Sequence, residues 1–413
     1  MNRTHKKSFW ALMVTQFFGA FNDNVLKVLV TVKIIEWVHN VNMQEQLVAL
    51  SGAVFVAPFL IFSMIAGRIA DRAGKPKVMV ATKYWELFVV TAAVLSLWAH
   101  SLPAMLFALF MLSMQAAFFS PSKYGILPEL MGEEDISRAN GWLNIGTFTA
   151  ILIGTVVGGF LSTTPVGAGA TMLAASLAGL VASFSIEPLP PAKPQEPLLW
   201  NPMRDLAANW KLITRDRLLQ LGTIAVNYFW FLGAVLQLNI FLYASEMMHT
   251  SPKSSGMLLI PVILGIGIGS FLAGAFSGKH IELGLVPWGL LGMSLFSLDL
   301  GWAHHSMTRL VFDLFMVGFS AGFYEIPLTA LVQWRSPSGE RGRILATVNF
   351  FSFVAILGAS GVLWILNTFF DLNPAQVFGV LGSASLLGTL IFLIRFPEVR
   401  KRSRAIFRRG IPA

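Results

Sequence analysis

The chain has no cysteine in 413 residues, so neither a disulfide nor a thiolate metal site is open to it. Charge is almost as scarce. Asp, Glu, Lys and Arg make up 12% of the residues, against 55% hydrophobic, and the mean hydropathy is +0.67. That balance excludes a soluble enzyme and describes an integral membrane protein with most of its length in the bilayer. The first apolar segment also lacks a small-residue cleavage site. It is too long for a secretory signal and carries Asp23 and Lys27, so it is expected to stay in the membrane.

What is present is a series of long apolar runs. Twelve spans are predicted, at 9–37, 46–70, 78–99, 101–120, 139–162, 166–186, 218–246, 254–278, 284–303, 307–333, 342–370 and 374–396. Each covers a hydrocarbon core of ~30 Å at ~1.5 Å per residue. With the N-terminus inside, twenty-five of the 30 Lys and Arg fall on the cytoplasmic side, and only Lys253 and Arg309 on the other. This bias predicts both termini in the cytoplasm. It also accounts for the net charge of +9 without nucleic acid. The tail, residues 397–413, reads as a polybasic segment held against anionic headgroups.

Residues 188–217 interrupt the hydrophobic pattern. They are proline-rich first and then basic and amphipathic, with Trp200, Trp210, Lys211, Arg215 and Arg217. They predict a cytoplasmic linker with a short interfacial helix. The linker separates a six-helix bundle at 1–187 from a second at 218–396. The halves correspond at a near-constant offset. Phe9 matches Leu218, Gly67 matches Gly274, Pro121 matches Pro327 and Arg138 matches Arg343, at separations of 209, 207, 206 and 205. Duplication of this kind is the architecture of a two-bundle transporter with its site between the bundles.

Asp23 stands inside the first span, flanked by Asn22 and Asn24 and followed by Lys27. A carboxylate near mid-bilayer costs at least a few kcal/mol, so such groups face a cavity or a partner. Asp23 and Lys27 share one helix face, with the acid N-terminal to the base. Two readings are open: a structural ion pair, or a polar site on a transport pathway. Between spans two and three runs "GRIADRAGKPK", from Gly67 to Lys77. Asp71 is suited to a helix N-terminus or a cation, and Arg72, Lys75 and Lys77 hold the loop on the cytoplasmic face. With Gly74 closing the turn, this string resembles the loop signature of the major facilitator superfamily. The resemblance implies a conformational latch made by Gly67, Asp71, Arg72, Gly74 and Lys75.

Further strings narrow the resemblance. They are "FWALMVTQFFGAFNDNVLK" (9–27), "SPSKYGILPEL" (120–130), "RANGWLNIGTFTAILIGTVVGG" (138–159), "GAFSGKHIELGLVPWGLLGM" (274–293) and "RGRILATVNFFSFVAILGA" (341–359). Together they look like the bacterial lysophospholipid transporter family. They resemble most closely the transporter domain that some bacteria fuse to lysophospholipid acyltransferase and acyl-ligase domains. The fused enzymes are expected to be missing, and none of the seven histidines has an aspartate five residues on, as the HxxxxD pattern of such acyltransferases requires. The chain is therefore read as a non-enzyme. The resemblance implies inward flipping of lysophospholipid, chiefly lysophosphatidylethanolamine, in the bacterial inner membrane. It also implies membrane lipids as surroundings and a separate acyltransferase or acyl-carrier ligase as a partner.

The residues suit that chemistry. Such a substrate has one acyl chain, a phosphate and an ammonium. Lys27 and Lys123 suit the phosphate, and Asp23 and Glu325 the ammonium. Glu325 lies next to the helix-kinking Pro327, with Arg335 or Lys123 as an alternative partner. Span seven adds Asn227, Gln237 and Asn239. Phe17, Phe18, Phe21, Phe229, Trp230 and Phe231 supply an apolar wall or simple packing. Lys83 and Glu86 are three apart and are expected to pair. Asp299 and Asp313 lie toward the outer ends of spans nine and ten. Glycine runs at 154–159 and 265–274 give spans five and eight small faces for close helix approach. No cofactor or metal is implied. A facilitator of a small molecule or drug, and a non-transporting scaffold for an acyltransferase, are the alternatives.

Overall fold

The computed structural model describes residues 3–195, 201–248, 256–302, 306–395 and 399–403. Trp200, Lys253 and residues 404–413 of the basic tail lie outside the described residues. The described residues are helical apart from short turns and the linker strand-free segment at 184–195.

Fourteen helices are described. They are α1 Arg3–Trp37, α2 Val41–Ala73, α3 Lys75–Trp98, α4 Leu102–Gly125, α5 Leu127–Leu130, α6 Glu133–Leu161 and α7 Pro165–Ser183. After the linker come α8 Pro202–Arg215, α9 Arg217–Glu246, α10 Leu259–Phe276, α11 Leu285–Gly301, α12 Met307–Arg335, α13 Arg341–Thr368 and α14 Pro374–Arg395. Ten of them are long and apolar enough to cross a membrane. Of the other two long helices, α1 has its apolar run broken by Asn22, Asp23, Asn24 and Lys27, and α11 has 17 residues. The chain is thus an all-helical, multi-pass membrane protein.

Local chemistry sets the helix ends. Proline opens α3, α4, α7 and α8 in the first turn, where its missing N–H costs nothing. Asn40 caps α2 by accepting from the Met43 N–H at 3.1 Å, and Asn201 caps α8 through Arg204 N at 3.1 Å. Between α2 and α3 the chain reverses at Gly74, whose φ of +87° is a conformation that side chains disfavour. One expected limit shifts: α1 begins six residues before the predicted span. The helix start predicted at 254 lies outside the described residues.

Two compact units are present. The first comprises 1–131, 150–216 and 336–350. In it α1 packs on α2, α4 and α7, and α3 packs on α4 and α7. Its apolar centre includes Leu26, Val30, Val90, Met105 and Leu109, each 1% exposed or less. α6 meets α1 through glycine: a Cβ at Gly154 would lie 2.6 Å from the Phe21 carbonyl, and one at Gly158 3.1 Å from that of Val25. The second unit comprises 132–149, 217–335 and 351–413. There α12 packs on α9, α10 and α11, and α14 packs on α9 and α11. Gly265 and Gly269 of α10 lie flush on the α12 backbone at Phe315 and Phe319. In lipid, helix association depends on close packing and interhelical polar contacts rather than on apolar burial, so these small faces matter.

Candidate functional site

The residues of the Gly67–Lys75 string lie in the first unit. The last turn of α2 lies against the first turn of α13. Both Asp71 carboxylate oxygens accept backbone hydrogen bonds there, from Gly342 N at 2.8 Å and Arg343 N at 3.1 Å. These amides are among those a helix start leaves unpaired, and a carboxylate also complements the positive end of the helix dipole. The approach requires glycine: a Cβ on Gly67 would lie 2.6 Å from the Gly342 carbonyl and 2.6 Å from the Ala346 Cβ.

Ion pairs surround that contact. The Lys75 ammonium lies 2.5 Å from Glu129 and 4.0 Å from Asp71, and Arg341 approaches the same Glu129 oxygen at 3.6 Å. Arg72 is half-buried at the end of α2. The linker takes part: Lys193 N donates to the Asp71 carbonyl at 2.9 Å, and its ammonium reaches Glu340 at 3.0 Å. Helix α8 docks by polar contacts. Asp205 pairs with Arg68, and Asn209 donates to Thr347 Oγ1 at 3.0 Å.

A second cluster lies around α1, also in the first unit. Lys83 and Glu86 of α3 pair at 2.5 Å with both side chains 1% exposed, as their spacing predicts. Asn22 Nδ2 donates to Glu86 Oε1 at 3.3 Å and to the Met172 carbonyl at 3.2 Å, tying α1 to α3 and α7. Glycine again makes room, since a Cβ on Gly19 would sit 2.8 Å from the Lys83 ammonium. Removing one member of so buried a pair costs about 3–5 kcal/mol. The pair and Asn22 thus fix the rotation of α1, and the next residue is Asp23, half-buried. The charges acting on Asp23 are Glu86, Lys83, Lys27 and Lys123. Among the described residues Asp23 and Lys27 are not bridged: the exposed Lys27 ammonium lies over the Phe55 ring, 4.4 Å from its centroid. Lys123 sits over its neighbour Tyr124 at 4.7 Å. Asn24 turns back to its own helix, donating to the Ala20 carbonyl at 2.7 Å.

Glu325 and Gln237 belong to the second unit. Glu325 is 7% exposed on α12. Its oxygens accept from Asn144 Nδ2 and Thr329 Oγ1, both at 2.6 Å. Asn144 Nδ2 also faces Ser270 Oγ at 3.4 Å. Two turns along α12, Gln333 and Asn140 exchange amide hydrogen bonds of 2.7 and 2.9 Å. Gln237 is exposed on α9. Of the expected aromatic wall, Phe21 and Phe229 are buried packing residues, while Trp230 is 39% exposed. Asn140, Asn144, Thr329 and Gln333 were not anticipated. Their spacing of four along α6 and α12 is the signal that marks them.

Comparison with known proteins agrees with this architecture. Residues 12–360 match the Major Facilitator Superfamily. The chain is 27% identical to a protein named lysophospholipid transporter LplT of Pectobacterium carotovorum, covering 86% of this chain and 88% of that one. It is 27% identical to the LplT of Enterobacter sp. (strain 638), covering 94% of each. Among solved structures, the human organic anion transporter MFSD10 superposes with a TM-score of 0.76 at 15% identity, over 94% of this chain and 99% of that one. The E. coli fucose:proton symporter FucP gives 0.73 at 13%, over 97% of this chain and 100% of that one.

Proposed function

The chain belongs to the Major Facilitator Superfamily, and on that premise we propose that it is a facilitator for lysophospholipid. In this reading all twelve long helices span the bacterial inner membrane, with both termini in the cytoplasm. Lysophosphatidylethanolamine and related lysolipids move from the outer to the inner leaflet by alternating access, and a separate acyltransferase or acyl-carrier ligase reacylates them there. The chain itself catalyses no covalent step. The relatives named lysophospholipid transporter, matched along most of their length, support the substrate class.

One observation carries the reading. Asp23 and Lys27 share a face of α1, yet Lys27 rests on an aromatic ring rather than on the acid. Two opposite charges kept apart on one face suit a zwitterion, with Asp23 for the ammonium and Lys27 for the phosphate. Asn22, Asn24 and Lys123 in the first unit, and Glu325 and Gln237 in the second, are the other residues proposed to meet the substrate. A cation over an aromatic face at an exposed site holds about 0.5–1 kcal/mol of attraction, which the phosphate replaces with a direct charge pair. The α2–α13 contact at Asp71 then acts as the latch that the transport cycle must open.

The test is movement of labelled lysophosphatidylethanolamine across proteoliposomes holding the native protein. Saturable flux without an ion gradient is expected. Its absence even under a proton or sodium gradient, with flux of a small solute instead, would replace the lipid reading.

A further inference from the structure

Linker helix α8 turns its polar residues toward the protein. Asp205, Asn209 and Ile213, spaced by four, form its docked face, and all three are buried. Asp205 pairs with Arg68 of α2, and Asn209 donates to Thr347 Oγ1 of α13. The rest of the helix divides into two further faces. At about 100° per residue, Arg204, Lys211 and Arg215 fall within about 40° of one another, and Met203, Leu206 and Trp210 within about 60°. The three cations are exposed, and among the described residues none of them meets an acid. Met203 is 75% exposed, and Leu206 and Trp210 are half-buried.

The position of α8 selects what covers those faces. Its docked side lies beside Met64 and Arg68, in the last turns of α2. Asp216, in extended backbone, is the only residue between α8 and α9. Both α2 and α9 are long and apolar enough to cross a membrane, so α8 lies where hydrocarbon gives way to headgroups. A helix with a basic side and an apolar edge at that level suits an anionic bilayer surface. We propose that α8 binds anionic phospholipid, with Arg204, Lys211 and Arg215 on the headgroup phosphates and the edge from Met203 to Trp210 among the acyl chains. Long basic side chains reach the headgroups while their stems stay on the apolar surface. This surface is independent of what the chain transports.

The chain has no cysteine, so Met203→Cys puts a single fluorophore on the apolar edge. The labelled full-length protein is reconstituted in vesicles of phosphatidylethanolamine with a minority of phosphatidylglycerol. A nitroxide quencher is carried on the acyl chain of one lipid or the other. Quenching by both is expected, and phosphatidylglycerol is expected to be enriched at position 203 by about fivefold or more, the preference that one cation's attraction of ~1 kcal/mol gives. Arg204→Gln, Lys211→Gln and Arg215→Gln together should bring the two lipids level. The same levelling is expected without those three substitutions in about 1 M salt, where the Debye length is about 3 Å, so a triple variant that assembles poorly does not spoil the test. Quenching by neither lipid would place the edge in water or under another protein and overturn the proposal. Equal quenching by both lipids at low salt, or a preference that survives both the triple variant and high salt, would overturn it as well.

Discussion

The two compact units each bring a glycine of one helix against the start of another, and they finish the contact differently. In the first unit Gly67 of α2 meets Gly342 and Arg343 of α13. In the second, Gly274 of α10 meets Ser137 and Arg138 of α6, with a Cβ on Gly274 only 2.8 Å from the Ser137 carbonyl. Arg138 and Arg343 are the arginines that correspond at the sequence offset of 205. Four residues after Gly67 comes Asp71, whose carboxylate fills the amides of α13. Four residues after Gly274 comes Gly278, at a φ of +60°, where an added Cβ would meet nothing within 4 Å.

The helix starts explain the difference. The first turn of α13 has no acid, whereas that of α6 holds Glu133, Glu134 and Asp135. α6 supplies its own negative charge to its dipole, and α13 borrows its charge from α2. The first contact is therefore an electrostatic one between distant parts of the chain. The second is a packing joint, reinforced by the polar pairs Asn140–Gln333 and Asn144–Glu325.

Four changes test this contrast. The largest effect is expected from Gly67→Val, which forces the helices apart at about 1–3 kcal/mol of overpacking. Thermal unfolding in detergent should drop and lysolipid flux should fall, and Gly274→Val should behave alike, because both joints need glycine. Next is Asp71→Ala, expected to cost about 0.5–2 kcal/mol as the loss of a helix cap. The chain has no cysteine, so Ala346→Cys is a unique reporter. Ala346 is 0% exposed beneath Gly67, and its thiol should resist labelling in the otherwise native chain and become reactive in the Asp71→Ala background. Equal protection in both would show that Asp71 holds nothing closed.

Neutralising the first turn of α6, with Glu133→Gln and Asp135→Asn, should cost about 0.3–1 kcal/mol, and Gly278→Asp should not restore it. The smallest expected effect is the coupling between Asn140→Ala and Gln333→Ala, about 0.6 kcal/mol in a double-mutant cycle, as for other interhelical hydrogen bonds in membranes. A coupling as large as the Asp71 effect would erase the distinction between electrostatic contact and packing joint.

Much of this was legible in the residues. The sequence left a helix start or a cation open for Asp71, and it meets both, the amides of Gly342 and Arg343 and the Lys75 ammonium. The Lys83–Glu86 pair was readable from its spacing of three. Its near-complete burial and its tie to Asn22 were not, because they depend on how α1, α3 and α7 are rotated against one another, and no local pattern encodes that. The neutral set on α6 and α12 was missed for another reason. Asn140, Asn144, Thr329 and Gln333 carry no charge, so hydropathy hides them, although their spacing places them on single faces. The linker is more than a tether for a related reason: Lys193, Asp205 and Asn209 find partners only once α2 and α13 are brought together.

The central claim is that α1 carries a split charge site for a lysolipid headgroup. Its most direct measurement is flux of labelled lysophosphatidylethanolamine into proteoliposomes, without an ion gradient, for native protein, Asp23→Asn and Lys27→Gln. The account predicts robust native flux that each single neutralisation lowers by about tenfold or more, the loss of one charge-assisted contact of ~1.5–3 kcal/mol. Native flux that both variants retain in full would contradict it and return Asp23 and Lys27 to a packing role.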